Sequence, residues 1–165
     1  MKKETSDPFS EEEGILSTQS LDRILARTRP EELAAFLEEN KASLIGTDKP
    51  FALFMRERIR EKGMTQQEVF INADIGEKYG YKLISEEKHP RHRDTILRLC
   101  FGAKLTLKET QQALKCSGFR ELYSRIPRDA VLMVALNRAI RNIHEINKLL
   151  ALYGEEPLRP CGEEN

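Results

Sequence analysis

The chain has 165 residues, of which 39% are hydrophobic and 33% charged, and its 27 Lys and Arg balance 27 Asp and Glu. This length and composition predict one helix-rich domain, with or without an extension, whose core folds without a cofactor or a disulfide framework. No apolar run approaches the roughly 18 residues that a membrane span requires, and residues 1–10 lack the apolar segment of a secretory signal, so we expect a soluble cytoplasmic protein.

The charges are unevenly placed along the chain. Residues 1–50 have a net charge of −4, residues 51–128 of +6, and residues 129–165 of −2. Because charges act on a phosphate over roughly one Debye length, about 10 Å, a neutral total does not exclude a nucleic-acid surface in the basic middle. Ordinary scatter of surface charge is the alternative reading.

The first 49 residues predict a flexible acidic tail over 1–16 and a helical extension over 17–49. Leu21, Ile24 and Leu25 recur at helical spacing. A second helix restarts at 28–32 with a proline in its first turn, and we expect it to bury Leu33, Phe36 and Leu37. A break at 46–50 precedes the basic region.

Three helices are predicted between residues 51 and 90. The first carries the apolar stripe Phe51, Phe54, Met55, Ile59 and ends at Gly63, which favours a left-handed cap. TQQE at 65–68 is a capping box that starts the second helix, and Asp74-Ile75-Gly76 ends it. The third should run from about Glu77 to Glu86, before Lys88-His89-Pro90 closes the unit.

Beyond Pro90 one helical hairpin is written twice, about 36 residues apart. Arg93-Asp94 is echoed by Arg128-Asp129, and two apparent capping boxes begin at Thr106 and Asn142. Each is followed by a glycine and, four residues later, by a leucine: Gly118 with Leu122, and Gly154 with Leu158. Two copies are too few for a free-standing solenoid, so the hairpins should stack on the preceding helices. Residues 119–126 have an irregular pattern, and no strand pattern is convincing.

The stretch from Phe51 to Leu105 resembles the lambda-repressor-like, or XRE, helix-turn-helix family. The matching residues are the run from Gly63 to Val69, Ile75 in the turn, Leu83 on the third helix, and Pro90 before Ile96, Leu97 and Leu99. Residues 21–158 also resemble XRE-type bacterial proteins with the same Arg-Asp-Ala-Val run. The resemblance implies an all-α fold: a helix-turn-helix domain over 50–105, a hairpin extension packed on it over 106–158, and a tail over 159–165.

In such domains one helix lies across the DNA backbone and the next enters the major groove. The resemblance therefore implies that the third helix reads double-stranded DNA and that cationic residues after it contact flanking phosphates. The candidate DNA-binding residues are Gln66, Glu77, Lys78, Tyr81, Lys82, Lys88, Arg91 and Arg93, with His92 beside the two arginines. Lys78 and Lys82 could equally be solvated, and Tyr79 and Tyr81 cannot both face the same side, so one of them should lie in the core.

Two departures from the family pattern bear on DNA binding. Phe70 stands where the family has a small alanine, and Gly80 where it has isoleucine or valine. Because these positions meet across the turn, we expect the pair to conserve volume. Glu86-Glu87 stands where a glycine would cap the third helix, and carboxylates facing phosphates would weaken binding.

Other chemistry has little support in the sequence. Cys100 and Cys116 lie in apolar helical patterns typical of a core, and three widely spaced cysteines predict no disulfide framework. His89 and His92 alone are a weak metal signal, and His144 should be a surface residue. No nucleotide, zinc-protease or hydrolase motif occurs, so we expect no enzyme, no metal and no cofactor.

Two functions remain open from the sequence. The first is a transcriptional regulator of XRE type that binds double-stranded DNA, with the hairpins serving dimerisation or effector sensing. Apolar residues of the C-terminal helices, among them Val131, Val134, Ile143 and Leu150, could form a homodimer surface, although a core role is simpler. The second is a protein-binding adaptor that keeps the helix-turn-helix scaffold while Glu77, Gly80, Glu86 and Glu87 reduce its DNA affinity.

Overall fold

A computed structural model describes residue 16, residues 18–44 and residues 49–161. The chain divides into two compact units, Met1–Thr47 and Asp48–Asn165. Residues 1–15 of the predicted tail, most of the predicted break at 46–50, and residues 162–165 lie outside the described part. Within that part the fold is all-α, as predicted, with nine α-helices, two short 3-10 helices and no strand.

The described residues of the first unit form two short α-helices. α1 runs over Thr18–Leu25 and α2 over Leu33–Glu39, with 3-10 turns at Pro30–Glu32 and Lys41–Ser43. Phe36 is buried as predicted, but Leu33 and Leu37 are 44% and 49% exposed, so their predicted burial is wrong. α2 has seven residues, which is about two turns, and only the Phe36 position of this short helix is covered.

Residues 49–161, the part of the second unit that the structure describes, form seven α-helices. They are α3 (Pro50–Glu61), α4 (Gln66–Ala73), α5 (Glu77–Ile84), α6 (Arg93–Gly102), α7 (Leu107–Cys116), α8 (Pro127–Asn137) and α9 (Ile143–Leu152). All seven contribute buried side chains to one hydrophobic core. The hairpins α6–α7 and α8–α9 therefore share a core with α3–α5, and residues 119–126 between them are irregular, as predicted.

The predicted helix boundaries of α3 and α4 are confirmed. Gly63 has a left-handed φ of +64° after α3. The Glu68 N–H donates to Thr65 Oγ1 at 3.1 Å, and the Thr65 N–H donates to Glu68 Oε2 at 2.7 Å, which completes the capping box. α5 ends at Ile84, two residues before the predicted end, because Glu86 adopts a φ of +56° that cannot continue a helix.

The helices α4 and α6 approach closely at a glycine. A Cβ at Gly102 would lie 2.5 Å from the Val69 carbonyl oxygen and 2.9 Å from the Ala73 Cβ. The Asn72 side-chain amide donates to the Gly102 carbonyl at 3.2 Å across the same contact. The first hairpin therefore packs directly on α4.

The sequence repeat is a repeat of backbone geometry. Lys104 and Ala139, 35 residues apart, end the turns after α6 and α8 with φ of +58° and +55°. Gly118 and Gly154, 36 residues apart, end the turns after α7 and α9 with φ of +76° and +72°. The two offsets differ by one residue, which is inserted in the second copy between these turns.

The two copies are joined by crossed ion pairs at the starts of α6 and α8. Arg93 binds both carboxylate oxygens of Asp129. Arg128 binds both carboxylate oxygens of Asp94, at 3.0 and 2.8 Å. The arginine of each Arg-Asp pair in the sequence therefore binds the aspartate of the other pair, and the two ion pairs are related as by a local two-fold axis.

Each aspartate of the crossed pairs also fixes the irregular segment that follows a hairpin. The Tyr123 N–H donates to Asp129 at 2.9 Å, and the Arg159 N–H donates to Asp94 at 3.0 Å. Burial alone would raise the pKa of Asp94, but the hydrogen bonds from Arg128 and Arg159, with the charges of Arg128 and Arg93, lower it below its ordinary value. Asp94 is therefore held as a carboxylate in the folded protein.

Arg98 connects the end of α4 to the segment that follows α9. Its guanidinium is buried and donates to the carbonyl oxygens of Ala73 at 3.1 Å, Leu158 at 3.0 Å and Arg159 at 2.7 Å. Ala73 is the last residue of α4, so one side chain ties the end of that helix to Leu158 and Arg159, 85 and 86 positions later in the chain. Asp74 Oδ2 lies 3.9 Å from Arg98 Nη1, and the Asp74 side chain is exposed.

Candidate nucleic-acid interface

A basic groove lies on the surface of α3, α4 and α5. It encloses about 350 Å³, and its lining includes Arg56, Gln66, Lys78, Tyr81, Lys82 and Glu87. We call this surface the basic groove. Three cationic side chains from two helices face one carboxylate there, so the groove is suited to an anionic partner.

The spacing of residues along an α-helix explains why three of these side chains lie together on α5. Residues three or four apart lie on the same face of a helix, so Tyr81 and Lys82 lie on the same face of α5 as Lys78. Lys78 and Tyr81 are exposed and Lys82 is half-exposed. Gln66 is the first residue of α4, where unpaired backbone N–H groups favour an anion. Four of the predicted site residues are therefore brought together.

The Phe70 ring occupies the space that a side chain at position 80 would fill. A Cβ built on Gly80 would lie 2.5 to 2.7 Å from three carbon atoms of that ring. The predicted exchange of volume between the two positions is confirmed. Tyr81 packs edge-on against the same ring, with centroids 4.9 Å apart, while Tyr79 is half-buried against the core, as expected for one of the two tyrosines.

Glu86 does not face the basic groove. Its carboxylate Oε2 accepts the Ala52 N–H at 3.1 Å, in the first turn of α3. A carboxylate at that helix end stabilises the unpaired N–H groups and the positive end of the dipole. The expectation that Glu86 confronts phosphates is therefore wrong for this residue, whereas Glu87 does line the groove.

The remaining predicted site residues lie elsewhere. Arg93 is bound to Asp129 and to the carbonyls of Arg120 and Glu121, so it serves the fold and we remove it from the phosphate contacts. Lys88 lines a different cavity. Glu77, at the start of α5, and Arg91 are both exposed outside the groove lining.

Arg56 is a groove residue that the sequence reading missed. It lies on α3, outside the two helices that carry the family motif, and its side chain is exposed. The sequence indicated only that Arg56, next to the apolar stripe of α3, would be exposed. Only the packing of α3 against α5 places Arg56 next to Lys78 and Lys82.

The cysteines and histidines form no reactive cluster in the described part of the chain. Burial raises the pKa of the Cys100 thiol to about 12, and burial also raises the pKa of Cys116. The His89 ring stacks on Phe119 and its Nε2 lies 2.8 Å from the Ser117 carbonyl oxygen, and His144 is exposed as predicted. Among the described residues no group of His, Cys, Asp and Glu is arranged to hold a metal ion.

No helix in the described ranges is both long and apolar enough to span a bilayer. Comparison with known proteins gives no match for this chain, whether to a protein-family model, a curated protein or a solved structure.

Proposed function

We propose that the protein is a transcriptional regulator of XRE type that binds double-stranded DNA through the basic groove, with α5 entering the major groove. The observation that carries the proposal is the convergence of Arg56, Lys78 and Lys82 around Gln66 on one surface. The resemblance of residues 51–105 to the XRE family supports the same assignment. Because the Glu86 carboxylate binds the Ala52 N–H at the start of α3, it is one fewer acidic group facing the DNA.

The groove residues divide into two roles. Gln66, at the start of α4, and Arg56 are suited to phosphate oxygens, which position a protein on the duplex without reading sequence. Lys78, Tyr81 and Lys82 on α5 are suited to base edges and thymine methyl groups at a specific site, and on a duplex of any sequence the two lysines are also suited to phosphate oxygens. Glu77, exposed at the start of α5, is suited to the amino group of a cytosine.

The test is binding of a fluorescent duplex of random sequence at several salt concentrations. Each phosphate contact adds about 0.9 to the slope of log affinity against log salt, so K78A/K82A should flatten the slope by up to about 2. Lys148→Ala, at an exposed position on α9, is the matched control and should leave the slope unchanged. Absence of binding at low salt, or equal effects of both variants, would refute the proposal.

A homodimer through the second hairpin accompanies this proposal, because two half-sites about 34 Å apart need two reading heads. Most apolar residues of α8 and α9 lie in or against the core, but Val134 is 52% exposed, Leu152 is 74% exposed, and Tyr153, which follows α9, is 65% exposed. The equivalents of Val134 and Tyr153 in the first hairpin, Leu99 and Ser117, are buried. V134E/Y153E should shift sedimentation from dimer to monomer, while a wild-type monomer at micromolar concentration would refute the dimer.

The adaptor is the second candidate function, and Ile71 is the observation that favours it. This side chain is 71% exposed on α4, where an apolar group suits a protein surface better than a phosphate backbone. An adaptor would show no duplex binding at low salt. It would also lose a protein partner in Ile71→Ser while keeping that partner in K78A/K82A.

A further inference from the structure

A second cavity lies where the end of α5 meets α3 and α6. It encloses about 130 Å³. Three of its lining side chains, Phe51, Leu83 and Ile96, are apolar and buried. An apolar cavity of about 150 Å³ holds a benzene molecule, so this cavity, floor and rim together, accommodates a side chain of roughly four carbon atoms, with the polar end of a ligand at the rim.

The rim of the cavity carries both signs of charge. Glu86, Lys88 and His89 line it. Glu86 uses one carboxylate oxygen to accept the Ala52 N–H, and a carboxylate has further acceptor positions. The His89 Nε2 lies 2.8 Å from the Ser117 carbonyl oxygen, and because that oxygen only accepts, Nε2 carries the hydrogen.

The backbone at the rim is strained. Glu86 has a φ of +56°, which glycine adopts readily and other residues adopt at a cost. A glycine would remove that strain but would also remove the carboxylate from the rim.

We propose that this cavity binds a small zwitterion, specifically an α-amino acid with an apolar side chain of valine or leucine size. The ligand ammonium lies at Glu86, its carboxylate at Lys88, and its side chain against Phe51, Leu83 and Ile96. A ligand with only an ammonium would face Lys88, and one with only a carboxylate would face Glu86. The zwitterion satisfies both groups, which is why it is favoured over either.

The site is placed to act on α5. The Lys88 N–H donates to the Lys82 carbonyl oxygen at 3.1 Å, so the rim folds back onto the helix that carries the basic groove. A ligand held between Glu86 and Lys88 fixes that end of α5. Ligand binding itself does not depend on the DNA proposal, and it is measured without DNA, so failure of one is distinct from failure of the other.

The experiment is titration calorimetry of the full chain with three probes that share one branched carbon skeleton: L-leucine, isoamylamine and 4-methylpentanoate. Leucine should bind about tenfold more tightly than either monofunctional probe, because each charge-assisted contact contributes about that factor. Across glycine, valine, leucine and tryptophan, affinity should rise to leucine and fall at tryptophan. This series needs no substitution, so it remains decisive whatever a variant does to folding.

Glu86→Gln separates the charge from the fold. Glutamine retains an oxygen that accepts the Ala52 N–H but has no negative charge, so leucine should bind about tenfold more weakly. Glu87→Gln removes the neighbouring exposed carboxylate and should leave leucine affinity unchanged. Equal binding of the three probes, tryptophan binding as well as leucine, equal effects of the two variants, or no saturable binding at millimolar concentrations would overturn the proposal.

Discussion

Replacing Gly80 by alanine adds one methyl group at the point where α5 lies against the Phe70 ring. That carbon would lie 2.5 Å from Phe70 Cδ1, 2.6 Å from Cγ and 2.7 Å from Cε1, whereas ordinary contacts between carbon atoms are about 3.5 to 4.0 Å. Phe70 is 1% exposed, and Tyr81 packs against its ring. The ring therefore cannot move aside without displacing its neighbours.

The expected change in stability follows from two opposing terms. Alanine in place of glycine within a helix gains about 1 kcal/mol, and overpacking a filled core costs about 1 to 3 kcal/mol. Because the clash involves a ring atom next to the Phe70 stem, the cost should lie near the upper end. Gly80→Ala should therefore lower the free energy of unfolding by about 1 to 2 kcal/mol.

A double-mutant cycle tests the cause. Phe70→Leu alone should also destabilise the protein, by about 1 to 2 kcal/mol. In the double variant the clash is gone and the helix gain remains, so the stability should return to near wild type. The interaction free energy between the two substitutions should be about 2 to 3 kcal/mol and stabilising, because it equals the overpacking cost that Phe70→Leu relieves.

The free energy of unfolding is measured by urea denaturation monitored with far-ultraviolet circular dichroism. The chain has no tryptophan whose fluorescence could report unfolding. Ala151→Gly, at an exposed position on α9, combined with Phe70→Leu gives a distant control pair that should be additive within about 0.5 kcal/mol. Additivity of the Phe70 and Gly80 changes within the same margin, or a stabilising effect of Gly80→Ala alone, would show that the ring does not fill this space.

Three further predictions concern buried polar groups. Asp94→Asn should lower the free energy of unfolding by about 3 kcal/mol at neutral pH, because it leaves Arg128 without its carboxylate. The pKa of Asp94 is lowered in the folded protein. The stability that Asp94 contributes is therefore present above its unfolded pKa of about 3.9 and is lost as the pH falls through the folded pKa. Urea midpoints measured from pH 6 to pH 2 should accordingly fall less steeply in Asp94→Asn than in the wild type. Arg98→Ala should cost about 3 kcal/mol and raise hydrogen exchange in residues 70–75, because three carbonyl groups lose their donor; unchanged exchange would contradict the link to α4. Cys100, with a pKa of about 12, should resist iodoacetamide at pH 8 in the folded protein and react fully in urea, as followed by mass spectrometry.

Much of the second unit follows from local signals in the sequence. The capping box at Thr65 and the glycine at position 63 locate the helix boundaries, because their effects depend on residues within one turn. The doubled hairpin is also visible in the sequence, because its local motifs recur about 36 residues apart. The exchange between Phe70 and Gly80 could be anticipated because the resemblance to the XRE family pairs those two positions.

The remaining features depend on contacts between residues far apart in the chain. Nothing near Glu86 indicates that its carboxylate is bound to the backbone of Ala52, 34 residues earlier. Likewise the two Arg-Asp pairs are visible as a repeat, but their exchange of partners depends on how the hairpins pack. Arg93 was assigned to DNA for this reason, because a surface arginine and an arginine in a buried ion pair have the same local sequence.

The crossed pairs also determine when the second unit can be completed during synthesis. A nascent chain that has emerged only as far as Gly118 carries both helices of the first hairpin but neither Asp129 nor Arg128, the partners of Arg93 and Asp94. Arg98 then also lacks the Leu158 and Arg159 carbonyls that hold it against Ala73. Domains generally fold as units during translation, and here the surface formed by α4 and α5 gains these supports only when Leu158 and Arg159 leave the ribosome.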